Sequence, residues 1–144
     1  MPDARHAQLE RWTTRIDAAI RQTHSPVVLL AHGMGCAAVA HWCGSGTADG
    51  IAGALLVAPM GAEHATGEGR DENPWTPTKP LPFPSVVLAS TNDPFIGMEP
   101  QAKYAAYWGS RFVCVGDKGH VHADTHPDVW EEGMGILKKR MGER

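Results

Sequence analysis

Pro26-Val-Val-Leu-Leu-Ala-His-Gly-Met-Gly-Cys36 is the stretch on which the reading of this chain turns. Val27–Ala31 is apolar with no polar alternation, the pattern of a parallel strand buried on both faces. A sharp turn follows at Gly33. From Gly35 a helix of small residues begins, with Cys36, Val39, Trp42 and Cys43 on one face. A strand that enters a helix through a turn flanked by small residues, here Ala31 and Gly35, is the setting in which a nucleophile is presented to substrate. The centre of that turn is Gly33, which carries no attacking atom. A glycine is equally what a turn with unusual backbone angles asks for.

Outward from this stretch, strand and helix alternate. Upstream, Ala4–Gln22 carries Leu9, Trp12, Ile16, Ala19 and Ile20 at helical spacing, with Arg11, Arg15, Asp17 and Arg21 largely off that stripe. Downstream, Ile51–Ala58 is a second buried strand, stopped by Pro59. Met60–Pro84 has no period and holds five prolines between Pro74 and Pro84, so a long surface loop is expected there. Ser85–Ala89 is a third strand, running into Ser90-Thr-Asn-Asp-Pro94. A short helix over Glu99–Trp108, capped by Gly109, precedes a fourth strand, Arg111–Val115. Gly116–His126 is a polar turn, and Trp130, Met134, Leu137 and Met141 mark a last helix. This order predicts parallel strands with right-handed crossovers: an α/β fold, three-layer α/β/α, with a mainly parallel sheet of about four strands.

Composition narrows the function. A chain of 144 residues supports one domain and one core, so residues 1–144 are read as a single unit. A net charge of -3 without a basic run argues against nucleic acid as a partner. Met1–Ile20 has no continuous apolar stretch for a signal peptide, and Val27–Ala31 is too short to cross a bilayer, so no membrane association is expected. Three cysteines, each in apolar context, read as reduced thiols of a cytoplasmic protein.

In such sheets ligands bind at the carboxyl ends of the strands. Gly33, Asp93 and His120 follow the first, third and fourth strands, so they are expected to meet at one edge. Their order is nucleophile, acid, base, the order of α/β-hydrolase triads. In that chemistry the imidazole takes the nucleophile's proton while the carboxylate fixes its tautomer. Both supports are present; the attacking atom is not.

With these residues in view, the chain resembles the small serine hydrolases of the YdeN-like family, which includes the retinoblastoma-binding protein 9 type. The likeness runs from about Trp12 to about Leu137. It rests on Pro26–Cys36, Ala54-Leu-Leu-Val-Ala-Pro59, Leu81–Pro94, Trp108-Gly-Ser110 and Gly116-Asp-Lys-Gly-His-Val-His-Ala-Asp124. The resemblance implies ester, thioester or amide hydrolysis of a small acyl substrate without a cofactor. It implies Asp93 as acid, His120 as base, Gly33 at the nucleophile's place and the backbone N–H of Met34 as an oxyanion donor. Relative to the family, a first strand and an oxyanion loop are expected to be absent before the first helix. Val27–Ala31 would then lie at a sheet edge and invite pairing with a second copy.

Other readings accompany this one. Cys36 lies three residues past the turn, on the face with Val39 and Cys43, where core packing accounts for it better than nucleophilic chemistry. His120-Val-His-Ala-Asp-Thr-His126 would gather His120, His122, Asp124 and His126 on one side if extended, which suits zinc. Only 18 residues follow it, which argues against a metal-dependent hydrolase and for His122 and Asp124 bracing the turn that aims His120. Trp75 and Phe83, with His32 beside the central turn, are candidates for a substrate pocket; for the first two the alternative is core cover beneath the loop. The expectation is therefore an impaired serine-hydrolase-family protein, with a non-catalytic binding or interaction protein as the alternative.

Overall fold

The computed structural model describes the backbone of residues 4–24, 26–45, 50–60 and 77–142, and their side chains from residue 10 onward except residue 45. The elements run α1 (Ala4–Arg21), β1 (Val27–His32), α2 (Met34–Ser45), β2 (Ile51–Val57), β3 (Ser85–Ala89), α3 (Met98–Trp108), β4 (Arg111–Cys114) and α4 (Pro127–Gly142). These are the elements expected from the pattern, with ends moved by three residues or fewer. Trp75 and most of the expected long loop lie outside the described residues.

The four strands form one parallel sheet in the order β1-β2-β3-β4. Because each crossover moves the chain one strand further in the same sense, a single handedness puts the crossover helices α2 and α3 on one face. Ile16 and Ile20 of α1 join that face, where Trp42, Leu56, Val87, Tyr104 and Trp108 share one apolar cluster. On the other face α4 packs Val129 and Leu137 against Leu55, Val57, Val86 and Leu88. The result is three layers.

β2 and β3 are buried throughout or nearly so, as continuous apolar strands between two helical layers should be. β1 departs from the doubly buried pattern of its apolar run and takes the edge position that the family resemblance implied. Most of it is only half-buried, and Leu30 is 57% exposed. The cause is position rather than composition: β1 is paired only with β2 among the described residues, and α4 sits over β2 and β3.

Two contacts set how closely the helices approach. Gly133 of α4 lies so near the sheet that a Cβ there would stand 2.6 Å from Leu88 Cδ1 and 3.1 Å from Leu55 Cδ1. On the other face, the small residues Ala37, Ala38 and Ala40 let α2 lie against its neighbours, and Trp42 Nε1–H reaches Asp17 of α1 at 3.3 Å. α3 ends at Gly109, whose left-handed backbone (φ 71°) lets its N–H and that of Ser110 close on the carbonyls of the last turn.

Candidate active site

The parallel ladder runs straight into the turns at its carboxyl edge. The N–H groups of Gly33, Ala58 and Val115 bond Val57, Leu88 and Ala89 in turn, so the residues just past each strand start from fixed positions. Gly33 has φ +60°, a region that L side chains rarely adopt. Its carbonyl accepts from the N–H of Cys36 and of Met60, which pins both sides of the turn. The turn therefore has the sharp strand-to-helix form, with the left-handed backbone that a glycine adopts without strain.

Asp93 leaves the end of β3 and His120 the loop after β4, and the two meet. His120 Nδ1–H donates to Asp93 Oδ2 at 2.8 Å, while Asp93 Oδ1 accepts the N–H of Phe95 at 2.9 Å. The carboxylate side chain is fully buried and the imidazole is 9% exposed. Since Nδ1 holds its proton for Asp93, Nε2 of the neutral ring carries a lone pair. A Cβ built on Gly33 would stand 3.2 Å from that nitrogen, and among the described residues beyond its chain neighbours the other atom within 4 Å is Cε1 of the same ring. Gly33, Asp93 and His120 thus converge on one point. Beside it, the N–H groups of Met34 and Gly35 open α2, in the first turn, where backbone donors have no intrahelical acceptor.

The residues that aim the imidazole are mostly not the ones expected. Ser90 Oγ accepts the N–H of Lys118 at 3.0 Å and donates to Asn92 Oδ1, which in turn accepts the N–H of Gly119 at 2.8 Å. Thr91 adds a backbone bond to Gly116 and a side-chain bond to Asp117. The turn bearing the acid and the loop bearing the base are therefore stitched into one unit. Ser-Thr-Asn-Asp-Pro signals a turn in the sequence, but which loop its polar atoms serve depends on β3 and β4 being neighbours.

A second brace comes from β1. His32 Nε2–H donates to the backbone carbonyl of His120 at 2.6 Å, and its ring lies edge-on to that of His120, with centroids 4.5 Å apart. Burial pushes the His32 imidazole below its ordinary value, an effect that its hydrogen bond opposes. Val121 follows with φ 52°, a costly conformation for a β-branched residue. Its carbonyl is held by Trp130 Nε1–H at 2.9 Å, and its N–H by Lys118. Phe95, 59% exposed, lies edge-on to His120 with centroids 4.9 Å apart.

Three readings of the sequence meet the structure here. The segment after His120 is turned rather than extended, so His120, His122, Asp124 and His126 do not line one side. Among the described residues no group of three or more His, Cys, Asp or Glu is placed to hold a metal ion. His122 touches the site through ring contacts with His32 and His120, and its carbonyl accepts the N–H of His126; the turn is braced by Ser90 and Asn92 instead. Phe83, at 6% exposure, is packed in the cluster with Trp108 and Tyr104, which assigns it to the core rather than a pocket wall. Cys36 is fully buried, its Sγ 3.7 Å from the carbonyl of Val57, and burial drives its thiol far up from the ordinary value. A thiol in that state is no nucleophile.

The family model for serine hydrolases matches residues 1–139. The chain belongs to the serine hydrolase family. A solved structure described as a YdeN-like hydrolase, from Pectobacterium atrosepticum, shares 31% identity at a TM-score of 0.76, over 93% of this chain and 69% of its own. A hydrolase of the α/β superfamily from Xanthomonas campestris pv. campestris shares 19% identity at a TM-score of 0.60, over 94% of this chain and 69% of its own. A CIB-like hydrolase from Thermoplasma acidophilum shares 18% at 0.68, over 93% and 60%. The latter two speak for the fold alone. A search of curated proteins gives no match. No helix among the described residues is long and apolar enough to cross a membrane.

Proposed function

We propose that this chain cleaves acyl esters, thioesters or amides slowly, with His120 and Asp93 activating a water molecule where other serine hydrolases attack with a side chain. The observation that carries the reading is the lone pair of His120 Nε2 facing the bare backbone of Gly33 while Nδ1 is held by Asp93. Water entering there would lose its proton to Nε2 as its oxygen attacks the carbonyl carbon, and the imidazolium would return that proton to the leaving group. The N–H of Met34 would steady the developing oxyanion. His32 would border the acyl site. Loss of one triad member in such enzymes leaves roughly 10³–10⁴-fold over the uncatalysed rate, and we set this chain at or below that level. The three unpaired thiols support a reducing, cytoplasmic setting.

Hydrolysis of p-nitrophenyl acetate tests the reading. Turnover should be low, unaffected by chelator and lost in His120→Ala; turnover equal in that variant would sink it. Gly33→Ser should raise turnover and create labelling by a fluorophosphonate. The same change should lower stability by roughly 1–2 kcal/mol, because an L side chain enters a left-handed backbone. Denaturant titration reads that cost, so gain in activity and loss of stability are expected together.

One observation favours a second reading, a protein that acts by association. Among the described residues β1 has no partner strand on its outer side; it carries no charged residue from Val27 to Ala31, exposes Leu30, and borders an open, mainly apolar cavity of about 340 Å³ between Trp12, Ile16, Leu29 and Val39. An unpaired, uncharged edge is a template for another strand, and we propose a second copy of this chain as its occupant.

A further inference from the structure

We propose that the cavity between α1 and β1 binds a small apolar monocarboxylate, its tail among Trp12, Ile16, Leu29 and Val39 and its head on the guanidinium of Arg15. The site is separate from the pair formed by Gly33 and His120, and the proposal does not rest on hydrolysis. Strand pairing at the edge of β1 would use backbone groups, whereas this site uses side chains.

The room comes from Gly35 and Ala38 of α2, whose small size leaves the angle between α1 and β1 unfilled. Its volume of about 340 Å³ stands at the small end of the range of small-molecule sites. Trp12, Ile16 and Leu29 are only half-buried there, so water meets apolar side chains. A hydrocarbon tail that displaced this water would gain free energy in proportion to the area covered.

Charge selects the head group. Arg15 and His32 are the ionisable residues of the lining, and no Asp or Glu belongs to it. His32 commits its Nε2–H to the carbonyl of His120, which leaves Arg15 as the cation. Among the described residues no carboxylate pairs with Arg15. The acids nearest to it along α1 do not cancel its charge. Asp17 is held by Arg21 and by the indole N–H of Trp42. Glu10 borders an adjoining hollow with Arg11, Thr14 and Arg15, one acid beside two cations. A carboxylate matches a guanidinium in charge and in the spacing of its two oxygens, which an ammonium or a hydroxyl does not. One carboxylate suffices, because a second charge on the tail would lose its hydration among Ile16, Leu29 and Val39.

The test is an NMR titration of the unaltered, ¹⁵N-labelled chain with octanoate, 1-octanol and octylammonium. The indole resonance of Trp12 and the imidazole resonances of His32, assigned through Trp12→Phe and His32→Gln, should shift saturably with octanoate. Octanoate should bind about fivefold more tightly than octanol or octylammonium, the upper value for an exposed ion pair. Hexanoate, two methylenes shorter, should bind about tenfold more weakly than octanoate. Arg15→Gln should weaken octanoate about fivefold and leave octanol unchanged. Ile16→Trp fills the cavity and should abolish binding of both. Where that variant folds poorly, the Trp12 and His32 shifts of the unaltered chain still locate the ligand. Octanoate bound no better than octanol, or equally well by Arg15→Gln, overturns the proposal. So does an absence of saturable binding, or saturation that leaves the Trp12 and His32 resonances unmoved.

Discussion

His120 is held at three points: Asp93 at Nδ1, His32 at its carbonyl and the Ser90–Asn92 pair through the two preceding N–H groups. Ser90 is the most informative of these, being 1% exposed and bonding both to its own turn and to the base's loop. Ser90→Ala removes an acceptor shared by the N–H groups of Lys118 and Asn92 and the donor to Asn92 Oδ1, and should cost about 1–3 kcal/mol of stability by denaturant titration. His120-dependent turnover should fall with it. His32 gives a pH signature. Its folded value lies below 6.5, so between the two values the unfolded chain binds more protons than the native one. Its contribution to stability is therefore present above the unfolded value and lost as pH falls towards the folded one. Thermal unfolding should show His32→Gln, which does not titrate, losing less stability than the unaltered chain between about pH 7.5 and about pH 5.5. An equal loss in both proteins would remove His32 as the cause.

At the scale of elements, the apolar runs and helical stripes were legible because each strand and helix buries a face whose period is local. Ser85–Ala89 needed no adjustment, and Gly109 ends α3 as its position suggested. The turn chemistry was half legible. Gly33, Asp93 and His120 stand out because each follows a strand, whereas Ser90 and Asn92 act on a loop far from them in sequence. The packing of α4 belongs to the illegible half as well. Gly133 looks like an unremarkable helical glycine, yet it is where the helix meets Leu88 and Leu55. Gly133→Val should force these side chains aside and destabilise the protein by about 1–3 kcal/mol, the usual cost of overpacking. Gly135, which has open space around its Cα, should accept alanine without loss in the same thermal assay.

For the whole molecule, the decisive fact is the order β1-β2-β3-β4, which leaves β1 at a margin. If two copies pair there, light scattering after size exclusion should give a dimer at micromolar concentration, and Leu30→Lys should return a monomer with unchanged circular dichroism. A monomer for both proteins would end that proposal. Local periodicity and the succession of strand and helix sufficed for the layers, the parallel sheet and the bare centre of the turn at Gly33, because those depend on neighbours along the chain. Which polar groups would brace His120 depended on contacts between residues tens of positions apart, as between Ser90 and Lys118, Asn92 and Gly119, or His32 and His120. Those contacts come into being with the packed sheet, and no nearest-neighbour pattern encodes them.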